Sequence, residues 1–219
     1  MKGPLAGITG MTERKEELVK YWQESSLITD KNLLKAFRDI SREAFIIPIY
    51  LEEVYGDYPL PIGHGQTISQ PTTVMLMIQA MELKRTDKVL EIGAGSGYCA
   101  AIMSRLCKRV ITTEIVPELC NYAKENMKKL KIRNVDVVLY DGSKGYEKEA
   151  PYGKIMVTAA CPKIPEPLVS QLKENGIIIA PVGGSFGQEM LKGTKKGGKL
   201  VTESLGDFMF VPLKGKFGF

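Results

Sequence analysis

From Lys88 onward the chain alternates short apolar runs with amphipathic ones, and this alternation restricts the fold more than any other feature of the sequence. Residues 89–92, 109–114, 135–139, 154–158 and 176–182 read as strands, and residues 98–106, 117–130 and 165–173 carry helical spacing between them. The helix at 117 opens on a proline, which suits a first helical turn. Strands alternating with helices predict βαβ units in a doubly wound, mostly parallel α/β sheet. After Val182 the helices stop. Residues 188–192, 199–205 and 208–213 follow one another as strands, which predicts an antiparallel edge closing the sheet.

The first 85 residues are helical and loop-rich, and they are expected to pack on residues 86–219 as part of one structural unit. Residues 12–25 place Leu18, Val19 and Trp22 on one face, and Asp30 is a cap for a second helix through Leu33, Leu34 and Phe37. The first ten residues show no periodicity and read as a loose arm, with Met11 a second candidate start. Residues 46–69 hold too many prolines and glycines for a long element and read as a surface loop or lid, the kind of segment that carries function. A helix follows in TTVMLMIQAMEL, residues 72–83, with Ser69 or Gln70 as its cap.

Counts of particular residues exclude several chemistries. One histidine, His64, cannot supply a zinc site, and no metal is expected. Ser-His-Asp hydrolysis is equally poor, since Ala94-Gly95-Ser96-Gly97 is not a GxSxG elbow and His64 precedes Ser96. The four cysteines lack CxxC spacing, and no apolar signal segment precedes the first helix, so a reducing cytosol and buried thiols are expected. No apolar run approaches the roughly 20 residues that span a bilayer. The net charge of +5 is spread along the chain except in KGTKKGGK, residues 192–199. Without interleaved aromatics this cluster reads as a solvated turn, and no nucleic acid is expected as a partner.

The most informative short stretch is Glu91-Ile92-Gly93-Ala94-Gly95-Ser96-Gly97, where the first strand of the alternating region hands over to its helix. Glycines there let a ligand approach the backbone, at the strand end where such sheets bind ligands. The spacing is ExGxGxG, and Tyr98 occupies the last glycine of a dinucleotide fingerprint. Glu91 beside a pyrophosphate makes little sense, but beside a cationic ligand it makes good sense. Glu114, at the end of the second strand, suits ribose hydroxyls, and Asp141, after the third, suits an adenine amino group. Carboxylates often end strands for reasons of capping alone. Three on successive strand ends describe a ligand with a cation, a ribose and an adenine, which is S-adenosylmethionine.

Here the chain resembles the protein-L-isoaspartate (D-aspartate) O-methyltransferases over nearly everything after Ile47. The segments that carry the likeness are YPLPIGHGQTISQP, VLEIGAGSGYCAA, NVDVVLYDGSKGY, APYGKIMVTAACPKIPEPLVSQLKENGIIIAPVG and FVPLKGKFG. The resemblance implies a class I methyltransferase (Rossmann-like) fold with N-terminal helices and C-terminal antiparallel strands. It implies transfer of a methyl group from S-adenosyl-L-methionine, leaving S-adenosyl-L-homocysteine, to the α-carboxylate of L-isoaspartyl residues, or to D-aspartyl side chains, in age-damaged proteins and peptides. Carried over residue by residue, Ser69 is the active-site serine, with Thr67 and Ile68 in the same pocket. Glu91, Gly93, Ala94, Gly95, Ser96 and Gly97 line the methionine side, Glu114 and Ile115 the ribose, and Asp141 and Gly142 the adenine. Phe210, Val211 and Pro212, with Thr67 and Ser69, hold the substrate. Ala94, Tyr140 and Met209 stand where the family often has threonine, glycine and arginine. The rival readings are a class I methyltransferase acting on a small molecule or RNA, and a non-catalytic cofactor-binding module.

Overall fold

The computed structural model describes residues 4–184 and 186–219, with side chains from residue 10 onward. Its centre is a seven-stranded sheet formed by β3 (Lys88–Ile92), β4 (Arg109–Glu114), β5 (Val135–Leu139), β6 (Tyr152–Val157), β7 (Leu172–Gly184), β8 (Gly187–Lys196) and β9 (Lys199–Phe208), in the order β5-β4-β3-β6-β7-β8-β9. The first five of these pair in parallel, and β7-β8-β9 form the antiparallel edge. Side chains of a strand alternate between faces, and in the central strands both faces are apolar. Val89, Val110, Met156, Ile177 and Ile179 enter the core on one face, while Leu90, Ile111, Ile155, Val157 and Ile178 enter the core on the other.

The first core is closed by α1 (Pro4–Glu24), α2 (Lys31–Asp39), α3 (Pro71–Ala80) and α4 (Tyr98–Ser104); α5 (Pro117–Lys129) packs alongside, and α6 (Glu166–Gln171) covers the opposite face. Asp30 caps α2 as its sequence predicts, accepting from the N–H groups of Asn32 and Leu33. Residues 1–3 of the expected loose arm lie outside the described residues, and from Pro4 the backbone is already helix α1.

Three elements differ from expectation. The passage 46–69 is not all loop: β1 (Leu60–Gly63) and β2 (Gln66–Ile68) form a hairpin around His64-Gly65. Both turn residues have positive φ, 54° and 69°, as a two-residue turn that matches strand twist requires. The helix expected to reach residue 173 stops at Gln171, because Leu172 already pairs with Tyr152. The last expected strand does not form as such. β9 runs to Phe208, and beyond it Pro212 makes only an isolated parallel bridge to Ala160.

The cap of α3 also differs. Neither Ser69 nor the Gln70 side chain caps its backbone; Gln70 Oε1 takes the Thr73 hydroxyl instead, at 3.0 Å. The acceptor is Asp57, from the preceding loop. It receives the Thr72 N–H at 2.9 Å and the Thr72 hydroxyl at 2.7 Å, and that hydroxyl in turn accepts from Trp22 Nε1 at 2.7 Å. The lysine cluster is more than a solvated turn. Lys192 pairs with Glu82 and Glu203, and Lys195 donates to the carbonyls of Val169 and Leu172, clamping the hairpin to the body. Among the described residues no helix is long and apolar enough to cross a membrane.

Because Asp57 serves the first turn of α3 in place of a local cap, Asp57→Ala is expected to lower stability by about 1–2 kcal/mol, measured by urea denaturation with unchanged m. A loss below a few tenths would leave the cap idle.

Candidate active site

The alternation of β2 decides which way the GQTIS segment presents its hydroxyls. Ile68 is 4% exposed and anchors the strand in the core, so Thr67 and Ser69 face the other way. Neither hydroxyl has a hydrogen-bond partner among the described residues.

Opposite them lies the glycine loop. Gly93, Gly95 and Gly97 have φ of 98°, 54° and 88°, in the left-handed region that glycine tolerates without cost. A Cβ at Gly93 would collide with the Thr158 hydroxyl, one at Gly97 with Met127, and one at Gly142 with Thr113 and Ile92. The loop is tied to the sheet by the N–H groups of Gly93 and Ala94, which donate to Thr113 O at 2.9 and 3.0 Å. Asn126 steadies it from α5 by donating to Ser96 O at 3.0 Å.

Between the hydroxyls and the loop is a cleft at the carboxyl ends of the parallel strands, where sheets of this kind bind ligands. Thr67, Ile68 and Ser69 form one side. Gly93, Ala94, Gly95 and Ser96 form another, with Glu114 and Ile115 at the end of β4 and Gly142 beyond β5. A second groove adjoins it, lined by Phe210, Phe186, Glu189 and Asp207, and the two cavities share Thr67, Ser69, Thr158 and Val211. The sequence-read residues thus converge from five separate segments.

Three of them do not reach the wall. Glu91 shares the Val89 face of β3 and points into the core beneath α4, with no exposed surface. The Thr112 hydroxyl and Cys99 thiol offset part of its burial, yet neither carboxylate oxygen has a well-formed hydrogen bond. Burial pushes its pKa up to about 7, so near neutrality it is a poor counter-ion. Gly97 lies behind the loop as the left-handed residue that starts α4. Asp141 is engaged by the chain's own tail: Ser143 donates to Oδ1 through its N–H and hydroxyl, and Lys216 N–H donates to Oδ2 at 3.0 Å. Burial alone would raise the Asp141 pKa, but these bonds and Lys144 hold it below the usual aspartate value. With Lys144 Nζ also 3.4 Å from Oδ2, both acceptor positions of each oxygen are engaged within the chain.

Glu114 is well placed but partly committed. Oε1 accepts the N–H groups of Ile115 and Val116, both at 2.9 Å, and Oε2 accepts Gly95 N–H at 2.8 Å. Each carboxylate oxygen offers about two acceptor positions, so Oε2 keeps one.

Residues that sequence reading missed complete the cleft. Thr158, directly after β6, donates to Gly93 O at 2.7 Å and lines both cavities. Its place at the end of the strand beside β3 was the available signal. Val74 and Met77 of α3 and Cys99 of α4 also line the wall, so Cys99 is half-buried where buried thiols were expected, while Cys107, Cys120 and Cys161 are buried. From the tail, next to the Pro212 that the resemblance implicates, come Leu213 and Lys214, held by Leu213 N–H to Ala160 O at 2.7 Å and Ala160 N–H to Val211 O at 2.8 Å. No spacing in the sequence foretells that roof.

An open cradle of glycines at the ends of parallel strands, with a carboxylate at the end of the next strand, fits S-adenosylmethionine. The fold and the cleft define a class I methyltransferase dependent on that cofactor. The chain belongs to the protein-L-isoaspartate (D-aspartate) O-methyltransferase (PCMT) family, whose family model matches residues 13–218. It is 45% identical over 205 residues to the protein-L-isoaspartate O-methyltransferase of Methanoculleus marisnigri, covering 93% of each chain. Among solved structures, a protein-L-isoaspartate O-methyltransferase superposes with a TM-score of 0.85 at 32% identity, over 93% of this chain and 67% of that one. A Plasmodium falciparum protein described as a putative member, in complex with S-adenosyl-L-homocysteine, gives a TM-score of 0.79 at 29% identity, over 90% and 97%.

The buried Glu91 carboxyl has a definite pH signature. Its folded-state pKa is raised, so its contribution to stability is whole below the unfolded value near 4.5 and is lost as pH rises through about 7. Glu91→Gln should therefore be more stable than the parent at pH 8, by about 1–3 kcal/mol, with the gap closing near pH 4. Chemical denaturation across that range reads it, and a gap independent of pH would contradict the assignment.

Proposed function

We propose that this chain transfers a methyl group to the α-carboxylate of L-isoaspartyl residues in altered proteins and peptides, with Ser69 as the residue that aims the acceptor. The observation that carries this reading is the meeting of two cavities at Thr67, Ser69, Thr158 and Val211. One cavity suits the cofactor and the other a polypeptide.

When bound, the cofactor supplies a methyl group already activated on a sulfonium. Gly93, Gly95 and Ser96 are the residues to hold its methionine side, with Glu114 Oε2 for the ribose and Gly142 for the base. The acceptor carboxylate has a reference pKa near 3.3–3.9 and is ionised at neutral pH. No general base is needed, in keeping with a single histidine that serves as a turn residue. What the chain must contribute is alignment, worth roughly 7–11 kcal/mol at its most effective. The unpartnered hydroxyl of Ser69 is suited to donate a hydrogen bond to one acceptor oxygen, with Thr67 beside it.

Substrate backbone is read more sparingly than strand addition along residues 209–213 would allow. Gln188 takes Phe210 N–H at 2.6 Å and donates to its carbonyl at 3.4 Å, and Ala160 occupies Val211 O. Val211 N–H remains as the donor for a substrate carbonyl, with Phe210 as an apolar wall. An RNA substrate is disfavoured, because the groove carries Glu189 and Asp207 and, among its described lining residues, no lysine or arginine.

With an isoaspartyl peptide and its normal aspartyl twin, labelled methyl transfer should appear only on the first. Ser69→Ala is expected to keep cofactor affinity and lose roughly 100-fold or more in transfer; a fully active variant would remove Ser69 from the mechanism. Val211→Pro deletes the remaining donor and should raise the peptide KM by about tenfold, and an unchanged KM would exclude that contact.

A further inference from the structure

Arg42 opens the 3-10 turn Arg42–Phe45, and its side chain has no solvent exposure. No ion pair with a described residue balances it. Its contacts are of another kind. Nε donates to Val54 O at 2.9 Å, Nη2 donates to Ser69 O at 2.9 Å, and the guanidinium lies over the Tyr98 ring, 4.9 Å from the centroid. Nη1 and the Tyr98 hydroxyl are both buried without a well-formed partner. Phe45, from the same turn, packs edge-on against Tyr98 at 5.4 Å.

Of the three groups that Arg42 touches, Ser69 and Tyr98 belong to the two halves of the reaction site. Ser69 carries the hydroxyl that faces both cavities. Tyr98 is the first residue of α4, directly behind the glycine loop, and it forms part of the cofactor wall. A guanidinium out of water with no carboxylate in direct contact, and only the longer-range attraction of Asp57, is costly to bury, so a tether of this sort is a poor choice for stability alone. Its planar fork does what neither lysine nor a neutral side chain can: it donates in two directions while lying over a ring.

We infer that Arg42 is a positioning residue for methyl transfer, fixing the Ser69 hydroxyl relative to the glycine loop by holding the Ser69 carbonyl and lying over the Tyr98 ring. The inference rests on the reading of Ser69 as the group that aims the acceptor. An in-line displacement is sensitive to such a brace, since a misplacement of about 1 Å costs on the order of 100-fold in rate.

Arg42→Lys keeps the charge and the aliphatic stem but loses the planar fork that lies over the ring. It is expected to bind S-adenosylmethionine within about threefold of the parent by calorimetry, to change the isoaspartyl-peptide KM by no more than about threefold, and to lower kcat by roughly 10- to 100-fold. Combined with Ser69→Ala it should add little further loss, because the hydroxyl whose position it sets is gone. A parental kcat, or a double variant in which the two losses multiply in full, overturns the inference. A fully active Ser69→Ala overturns the reading of Ser69 instead, so the two failures are separable. Should the lysine variant be too unstable to assay, nitrogen-detected NMR of the unaltered protein decides. A guanidinium held by two carbonyls and a ring should give separate, slowly exchanging Nη signals for Arg42, and one averaged signal would overturn the brace.

Discussion

The parallel register of β3 between β4 and β6 is the constraint on which the rest of the molecule depends. It sets Ile92 opposite Thr113 on one side and Val157 on the other, so three strands end at one level. The next residues then have only one place to go. Gly93 and Ala94 turn back onto Thr113 O, Thr158 N–H reaches Ile92 O, and Glu114 folds over to accept Gly95 N–H. A slip of one residue would exchange the two faces of a strand, sending Val89 and Leu90 into the wrong cores and removing the level edge that the cleft requires. Apolar packing on both faces therefore fixes the geometry of a polar site that contributes little to stability itself.

The parts legible in the sequence are those whose physics is local. The strand–helix alternation, the Asp30 cap, the turn to α5 at Pro117 and the glycine loop all follow from residues adjacent in the chain. Thr67, Ser69 and Gly142 were legible only because the motifs around them resemble a family. What was not legible depends on partners far away in sequence. Ser69 looks like a cap until Asp57 is seen holding Thr72. Asp141 looks like a ligand acceptor until Lys216 arrives from 75 residues on. Glu91 looks like a wall residue until strand alternation turns it under α4. For Ser69 and Asp141 a tertiary competitor decided the role, whereas for Glu91 the two-residue period of the strand did.

The hydrogen-bond pattern also separates what is built to be rigid from what is left unsatisfied for a ligand. The glycine loop, Glu114 and Thr158 are held by backbone bonds from neighbouring strands, whereas Thr67 and Ser69 protrude with their hydroxyls unmet. A reaction that needs no proton abstraction can be run from such a site, because the chain has only to present donors at a fixed spacing. The carboxylates of the acceptor groove, Glu189 and Asp207, have no proton to take from an acceptor that is already ionised, and among the described residues the one buried carboxyl with a shifted pKa, Glu91, sits behind the wall.

The outer strand of the sheet has a consequence for the company this protein keeps. β9 is ten residues long and lies at the edge, with a row of backbone groups open to any extended chain. An enzyme that attends to altered polypeptides meets loosened, strand-forming segments more often than most. Lys199, Glu203 and Asp207 recur along β9, Gly206 takes a φ of 103°, and the pairing slips between Glu189 and Leu191. Charge and a kink together spoil the edge as a template.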